Sequence, residues 1–138
     1  MGAYWLVKTE PETFSWTRQA AEGTSRWDGV RNHQAAANLR AMTVGDLAFF
    51  YHSGKTREIV GIVEVARAAY PDPTDPTGKF VAVDMKTAKP LARPVALGAI
   101  KADPALGHLM LVRHSRLSVM PIDRAAWRRI LALAGETP

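Results

Sequence analysis

The stretch of residues 27–53 most constrains what this chain can fold into, because it places a turn and a short helix directly before an apolar strand. Asn32 is a good cap, and the alanine and leucine residues behind it predict a helix over residues 33–42. The apolar run that follows a turn at residues 44–46 predicts a strand over residues 47–52. Aromatic and hydrogen-bonding groups therefore gather around one predicted cleft, and such an arrangement suits a planar polar ring.

The rest of the chain is typical of short strands joined by turns and a few short helices. Further strands are predicted over residues 3–8, 59–68, 80–87 and 117–120. Helical segments are predicted behind the cap Ser15, at Asp103-Pro104, and behind the cap Asp123. The residues 70–78 must form a loop, and Pro90 and Pro94 limit any strand pairing between them. This pattern predicts an α+β domain built on a curled sheet or a small barrel.

The length and composition favour an ordinary globular protein. The 138 residues suit a single domain over residues 1–138 that is long enough to bury a core. There is no run of about 18 apolar residues, so no membrane span is expected. The first residues lack the basic and apolar stretches of a secretory signal. The absence of cysteine excludes disulfides and thiolate metal sites, and it fits a reducing interior. We therefore expect a cytoplasmic location.

No catalytic or metal-binding group stands out along the chain. The four histidines, His33, His52, His108 and His114, do not pair at the spacing of metal ligands. His52 and Ser53 are neighbours at a strand end, so their side chains point to opposite faces and do not form a direct couple. The chain has no nucleophile elbow and no glycine-rich phosphate loop. We therefore expect no enzyme activity, no metal site and no cofactor.

The positive charge is concentrated towards the C-terminus. The net charge is +5, and residues 104–130 contain five arginines but only one acid, Asp123, which gives this stretch a charge of +4. Such a basic stretch favours an anionic partner and a salt-sensitive affinity. Arg113 and Arg116 flank a short extended segment and are candidates for the rim of a cleft. The arginines of the last helix are expected to face solvent.

Trp27 and the turn behind it leave two interpretations open. The polar neighbours of Trp27 place it in a loop, where it is either a lid on the core or a stacking platform for a base. Asn32 is expected to cap the helix. Arg31 either stays solvated or, together with the start of the helix, receives an anion or a carbonyl group. The other three tryptophans are expected to be packing residues.

Several segments carry a resemblance to a known family, in the same order along the chain. They are WLVKTEPETFSW, WDGVRN, GDLAFFYHS, IVGIVEV, YPDPT and RLSVMP. Together they resemble the EVE domain family over almost the whole chain. The resemblance implies a PUA-like fold, a small mixed β-barrel flanked by short helices, related to PUA, ASCH and YTH domains. It also implies recognition of a modified base, as in readers of modified DNA, including modified cytosines, or of methylated adenine in RNA.

Carried over residue by residue, the resemblance implies a base-binding site. The end of the first strand would offer hydrogen bonds to the base, and Trp27 would stack on it. The implied ligand-binding residues are Lys8, Thr9, Glu10, Trp27, Val30, Arg31, Asn32, His52, Ser53, Tyr70, Pro71, Arg113, Arg116 and Ser118. The chain departs from the family pattern at His33, where a tyrosine is usual, and at Gly54, where a polar pair is usual. These departures affect pocket shape and base preference more than the fold.

The function that these features predict is a non-enzymatic module that binds DNA or RNA and holds a modified, expected methylated, base in an aromatic pocket. Extrusion of the base costs a few kcal/mol, which stacking and hydrogen bonds to the base edge offset. One alternative is a small-molecule or nucleotide sensor that uses the same cleft, for which little salt dependence is expected. The other is a nucleic-acid-processing enzyme, which turnover lost in His52→Ala would indicate. The sequence leaves the oligomeric state open.

Overall fold

A mixed sheet of six strands organises the part of the chain that the computed structural model describes, residues 2–136. The strands are β1 (Tyr4–Thr9), β2 (Thr24–Trp27), β3 (Leu47–His52), β4 (Glu58–Pro71), β5 (Val81–Ala96) and β6 (Val119–Ile122). They lie in the order β2-β5-β4-β3-β1-β6, with β1 and β3 parallel and the other neighbours antiparallel. Within the described residues no ladder joins the edge strands β2 and β6, so the word barrel applies only loosely.

Short helices flank this sheet, which confirms the predicted α+β class. They are α1 (Trp16–Glu22), α2 (His33–Ala41), α3 (Leu97–Ala102), α4 (Met110–Arg113) and α5 (Arg124–Leu133), with a 3-10 turn at Pro104–Leu106. The predicted caps are confirmed for α1, α2 and α5, where the side chains of Ser15, Asn32 and Asp123 each accept a bond from a first-turn amide. Each cap satisfies an N–H that the helix itself leaves without a partner.

The last helix packs on the parallel strands through one aromatic side chain. Ile122 and Trp127 stand at the two positions of a hydrophobic staple, and both are buried. The Trp127 ring stacks on Phe49 of β3 at 3.8 Å between centroids and on Tyr4 of β1 at 4.5 Å. This stacking packs α5 against both parallel strands.

The parallel pairing of β1 and β3 brings the carboxyl ends of both strands to one edge of the sheet. The register sets Lys8 beside Tyr51 and Thr9 beside His52. β6 runs antiparallel to β1, and the amide of Lys8 donates to the carbonyl of Ser118 at 2.9 Å, just before β6 begins. Backbone hydrogen bonds therefore fix the polar residues that meet at this edge.

Close packing of α1 against β4 depends on Gly61. A Cβ at this position would lie 2.4 Å from the Trp16 ring, so only glycine allows the approach. Trp16 also meets Phe50 edge-on at 5.2 Å between ring centroids. The prediction that Trp16 is a packing residue is confirmed, and its contacts seat α1 beside the ends of β1 and β3.

The structure differs from the sequence prediction in three strands and two helices. The sequence predicts none of β2, α3 and α4. Arg113 ends α4 and a turn follows it, so the predicted extended segment between Arg113 and Arg116 is wrong. β4 runs on to Pro71, so Tyr70 lies in a strand and not in the predicted loop. β5 continues through Pro90 and Pro94, although proline lacks the amide that a ladder needs. The β4–β5 pairing shifts register on both sides of Gly61, which faces Pro90, and these irregularities accommodate the missing donor.

Candidate functional site

An open cleft of about 570 Å³ lies where the carboxyl end of β1 meets α1, the end of β2 and the turn that follows β2. Six of the residues that the family resemblance implies line it together: Lys8, Thr9, Trp27, Val30, Arg31 and Ser118. They come from three separate segments of the chain, residues 8–9, residues 27–31 and residue 118, and the strand register described above brings the first and the last of these side by side.

Lys8 supplies an ammonium group to the cleft wall that no carboxylate neutralises. Its Nζ donates to the carbonyl of Ser115 at 2.9 Å and lies 5.6 Å from the centre of the Tyr51 ring. Across residues 2–136, Lys8 takes part in none of the ion pairs. Burial lowers the pKa of Lys8. Since an ammonium has three N–H groups, two remain for a carbonyl or an anion in the cleft.

Trp27 is a buried wall of the cleft, and the prediction that it lies in a polar loop is wrong. It ends β2, where the alternation of the strand turns Ser25 and Trp27 inward, and only 7% of Trp27 is exposed. Phe14 and Phe50 meet its ring at nearly right angles, at 6.3 Å and 5.6 Å between centroids. Trp27 therefore belongs to the core and at the same time presents a small part of its surface to the cleft.

Asp72, from the loop after β4, fixes the turn that follows β2. Its carboxylate accepts bonds from the Gly29 amide at 2.8 Å, from Arg31 Nη1 at 3.0 Å and from the Thr74 amide at 2.7 Å. Only 2% of Asp72 is exposed. Burial opposes its charge, but the bonds from Thr74, Gly29 and Arg31 outweigh burial and hold the pKa of Asp72 well below its usual range. Arg31 is therefore held in place while 41% of its side chain stays open to solvent.

Behind the cleft, a buried amide ties α1 to the sheet. Gln19 is fully buried, and its Oε1 accepts a bond from Ser25 Oγ at 2.5 Å. Its Nε2 donates to the Met85 carbonyl and to Thr87 Oγ1, each at 3.2 Å. Because these polar groups satisfy one another, the network holds the helix and β2 at a fixed separation.

His52 and Ser53 lie outside the lining of the cleft. His52 Nε2 accepts a bond from the Trp16 amide at 3.0 Å and so supports the start of α1. Burial lowers the pKa of His52, in keeping with a neutral ring that acts as an acceptor. The amide of Ser53 donates to the carbonyl of Thr9 at 2.9 Å, and the residue lines a second pocket on the other side of Lys8.

Glu10, Tyr70 and Pro71 also lie outside the lining of the cleft. Glu10 is exposed, and its carbonyl accepts bonds from two amides of the next turn. The Tyr70 hydroxyl donates to Asp84 Oδ1 at 2.5 Å, and burial together with this bond raises the pKa of Tyr70 to about 12. Pro71 is exposed at the end of β4.

Asn32, Arg113 and Arg116 meet at a separate pocket of about 340 Å³ beside the cleft. The side chain of Asn32 is occupied by the cap of α2, whereas both arginines are exposed. The other arginines of the basic stretch belong to α5 and line neither the cleft nor this pocket, and Arg129 pairs with Asp103 at 2.6 Å. The basic stretch is therefore divided between two parts of the surface.

Four residues that line or support the cleft are not predicted from the sequence: Phe14, Ser25, Gly29 and Asp72. A signal for Asp72 is present, because Asp-Pro-Thr is typical of a turn in which the carboxylate bonds the amide two residues on. That pattern predicts the bond to Thr74 but not the bond to Gly29, which lies 43 residues away in the chain. No local pattern points to Phe14, in a loop, or to Ser25, in a strand that the sequence does not predict.

The lining of the cleft is mostly polar and carries both signs of charge. Two ion pairs lie on its lining, Arg18–Glu22 at 2.8 Å and Arg26–Asp28 at 2.7 Å. Donors, a partly aromatic wall and positive charge surround the opening, and these suit a planar polar ring with an anionic attachment.

Two other kinds of site are not found in the described part of the chain. Among residues 2–136, no three histidine, aspartate or glutamate side chains are grouped so as to hold a metal ion. Over the same residues, no helix has the length and apolar character needed to cross a membrane.

Three comparisons relate the chain to known proteins. Residues 3–133 match the EVE domain family. Thymocyte nuclear protein 1 of Gallus gallus is 36% identical to the chain, over 98% of this chain and 70% of the relative. An NMR structure of a protein from Rhodopseudomonas palustris is 52% identical, with 96% of this chain and 93% of that chain covered and a TM-score of 0.92. A crystal structure of human THYN1 in complex with DNA that contains 5-methylcytosine is 33% identical, with 99% of each chain covered and a TM-score of 0.92.

These relatives correct the location expected from the sequence. The proteins of Gallus gallus and Homo sapiens that the chain matches both carry the name thymocyte nuclear protein 1. A nuclear protein conflicts with a cytoplasmic location, so that expectation is wrong. The lack of a secretory signal fits a nuclear and a cytoplasmic location equally, so it does not distinguish between them.

Proposed function

The chain belongs to the EVE domain family, and we propose that it is a non-enzymatic module that binds nucleic acid and holds a modified base, expected to be methylated, in the cleft. Residues 1–138 would act as one such domain. The observation that carries the proposal is the similarity of the whole chain to human THYN1, whose structure is a complex with DNA that contains 5-methylcytosine. The cleft volume of about 570 Å³ falls within the range of about 300–1,000 Å³ that is usual for ligand sites.

The polar end of the cleft would read the edge of the base. Lys8 and Thr9 at the end of β1 and Ser118 before β6 place an ammonium group and two hydroxyl groups on one side of the opening. A flipped base offers its Watson–Crick edge to such groups, and their bonds offset the loss of pairing and stacking in the duplex.

The apolar end of the cleft would sense the base face and its methyl group. Phe14, Trp27 and Val30 contribute this side of the lining. Because Trp27 is 7% exposed, its contact with the base is limited to the part of the ring that borders the cleft. A methyl group buried there contributes roughly 0.8 kcal/mol, so discrimination against an unmethylated base requires a close fit.

Positive charge around the opening would hold the flanking phosphates without reading sequence. Arg31 lies on the cleft lining, and Arg113 and Arg116 line the neighbouring pocket. Each phosphate that such a side chain neutralises releases counterions, which makes the affinity fall with salt.

The experiment that tests the proposal compares short duplexes that carry 5-methylcytosine or cytosine at one position, titrated at two salt concentrations. We expect tighter binding of the methylated duplex and weaker binding of both at the higher salt. Val30→Ala enlarges the apolar side of the cleft, so it should reduce the preference for the methylated duplex. Equal binding of both duplexes by the wild-type protein would overturn base recognition. Binding of the free nucleoside with no salt dependence would favour a small-molecule sensor instead.

A further inference from the structure

A second basic surface lies on the far side of Lys8 from the cleft. Two adjoining pockets, of about 220 Å³ and about 340 Å³, share Arg57, Leu97 and Lys101. We call the two together the basic groove. Lys8 and Lys55 complete its set of cations, and neither pocket has an aspartate or glutamate on its lining.

The cations of the basic groove have no carboxylate partners in the described part of the chain. None of the ion pairs formed by residues 2–136 includes Lys8, Lys55, Arg57 or Lys101. By contrast, Arg18 and Arg26 on the cleft lining each pair with an acid. A concave surface with cations of one sign and no internal neutralisation focuses a positive potential and attracts anions.

Arg57, which lines both pockets of this groove, is held in an unusual backbone conformation. Its φ is 49°, and within residues 2–136 it is the one residue other than glycine with a positive φ. The carbonyl of Arg57 accepts a bond from the Leu97 amide at 2.8 Å, and its Nε donates to the Gly54 carbonyl at 3.0 Å. These bonds keep the chain in a disfavoured region and leave the terminal nitrogens of the guanidinium for another partner.

Lys8 connects the basic groove to the cleft, because it lies on the lining of both. Its ammonium is anchored at this boundary by the bond to the Ser115 carbonyl. A nucleic-acid strand that places one base in the cleft therefore has a continuous positively charged surface beside it for the phosphates of its backbone.

We propose that the basic groove binds a backbone phosphate of the nucleic acid whose modified base occupies the cleft. This inference rests on the proposed function. Arg57 and Lys101 would contact the phosphate oxygens, and Lys8 would lie between the phosphate and the base. A groove that lacks acids but contains arginine and lysine suits the phosphodiester group, which carries one negative charge and accepts several hydrogen bonds.

The test compares Lys101→Gln with the control Arg128→Gln in the full chain. Each variant removes one exposed positive charge from a helix, but Arg128 lies on α5 and lines neither the groove nor the cleft. For a methylated duplex, we expect Lys101→Gln to lower the affinity about fivefold to tenfold at 0.1 M salt and to reduce the slope of log K against log salt by about 0.9. Arg128→Gln should change neither, and Arg57→Gln should act like Lys101→Gln.

A second arm identifies the source of the phosphate. Methylphosphonate linkages, which are neutral, replace single phosphates at successive positions around the modified base. At the linkage that enters the groove, the difference between wild type and Lys101→Gln should disappear. A difference that persists at every position would overturn the assignment to the backbone. Inorganic phosphate could also bind at Lys101 with an affinity that a bound duplex does not change. That result would overturn the assignment to the backbone and would point to a free anion.

The outcomes separate this inference from the proposed function. If the wild-type protein prefers the methylated duplex but Lys101→Gln and Arg128→Gln behave alike, the groove assignment fails and base recognition stands. If the wild-type protein binds no duplex, both fail. Thermal unfolding of each variant, measured alongside, shows whether a loss of affinity reflects a loss of fold.

Discussion

Two consecutive turns in the loop after β4 have the same sequence and different roles. Asp72-Pro73-Thr74 and Asp75-Pro76-Thr77 each form a local turn, in which the carboxylate accepts bonds from the threonine amide and hydroxyl. The second oxygen of Asp75 accepts bonds from the amides of Lys79 and Phe80, so its turn only closes its own loop. The second oxygen of Asp72 instead accepts bonds from Gly29 and Arg31, across the chain.

The difference between the two turns shows where a local motif becomes part of a site. The bonds that both aspartates make to the following threonine are determined by three adjacent residues. The two aspartates differ in the partners of the second carboxylate oxygen. For Asp75 these partners are amides of the same loop, whereas for Asp72 only the tertiary fold brings Gly29 and Arg31 within reach. We call them the inner turn (residues 72–74) and the outer turn (residues 75–77). Substitutions at matched positions of the two turns test whether the inner turn positions the cleft.

The largest difference is expected between Asp72→Asn and Asp75→Asn. Asparagine at position 72 would present an NH₂ group to donors and would leave Arg31 without its counter-charge. We expect Asp72→Asn to lower the free energy of unfolding by about 2–3 kcal/mol and to weaken binding of a methylated duplex. Asp75→Asn should have a smaller effect on stability and none on affinity. Chemical denaturation and duplex titration of both variants measure the two quantities.

Equal losses of affinity in the two aspartate variants would contradict a specific role of the inner turn. Equal losses of stability alone would not, because each of the two carboxylates accepts four hydrogen bonds. The control is a thermal unfolding curve of Asp72→Asn measured with saturating duplex. It shows whether the variant still folds when the duplex is bound.

A second pair of substitutions changes the backbone and leaves the charges alone. Gly29, next to the inner turn, has a φ of 75°, and Gly78, next to the outer turn, has a φ of 72°. An added Cβ meets no atom within 4 Å at either position, so the cost is backbone strain of about 1–2 kcal/mol. We expect Gly29→Ala and Gly78→Ala to lower stability by similar amounts. Only Gly29→Ala should weaken duplex binding, because its amide bonds Asp72.

How much of this arrangement is predictable from sequence depends on the range of the interactions. The caps Ser15, Asn32 and Asp123 act within three residues, and all three predictions are confirmed. The strand at β2 is not predicted, because its four residues are held in place by β5, about 60 residues away in the chain. For the same reason Trp27 is assigned to an exposed loop, although the sheet turns it into the core.

The resemblance to a family predicts more of the site than the local pattern does. Lys8, Arg31 and Ser118 lie far apart in sequence, and the resemblance places them in one site, where the structure brings them to the same cleft. It does not predict Asp72, which positions the site from behind, or His52 as the support of α1. A residue that only positions a ligand-binding residue does not itself touch the ligand. It is therefore not part of the binding pattern that the family resemblance carries over.

A smaller effect on stability is expected from Arg31, the partner of the inner turn that remains partly exposed. Its ion pair with Asp72 is open to solvent on the arginine side, so Arg31→Gln should lower stability by about 1 kcal/mol. Affinity for a duplex should fall more clearly. Arg31→Lys keeps the charge but loses the bond to Thr74, so its affinity separates charge from positioning. If both variants bind like the wild type, Arg31 serves the fold alone.

The smallest expected effect is on how the free energy of unfolding depends on pH in the acid range. The pKa of Asp75 is lowered to about 2 by its bonds from Thr77, Phe80 and Lys79, and the pKa of Asp72 is held lower still. Both carboxyls bind protons more readily in the unfolded chain, where their pKa is about 4, so the stability that they provide is complete above that value and is lost as the pH falls.

Below pH 4 the free energy of unfolding of the wild-type protein falls with pH, in part because these two carboxyls bind protons. Each aspartate variant removes one of them, so the slope of the free energy of unfolding against pH should decrease by the equivalent of up to one bound proton. For Asp75→Asn the flattening should end near pH 2, where the native carboxyl itself becomes protonated. For Asp72→Asn it should continue to lower pH, because the bonds from Gly29 and Arg31 keep that carboxyl ionised. Denaturation measured at pH 5, 3, 2 and 1 tests the difference. Identical curves for the two variants would mean that the bonds from Gly29 and Arg31 lower the pKa of Asp72 no further than the bonds from Lys79 and Phe80 lower the pKa of Asp75.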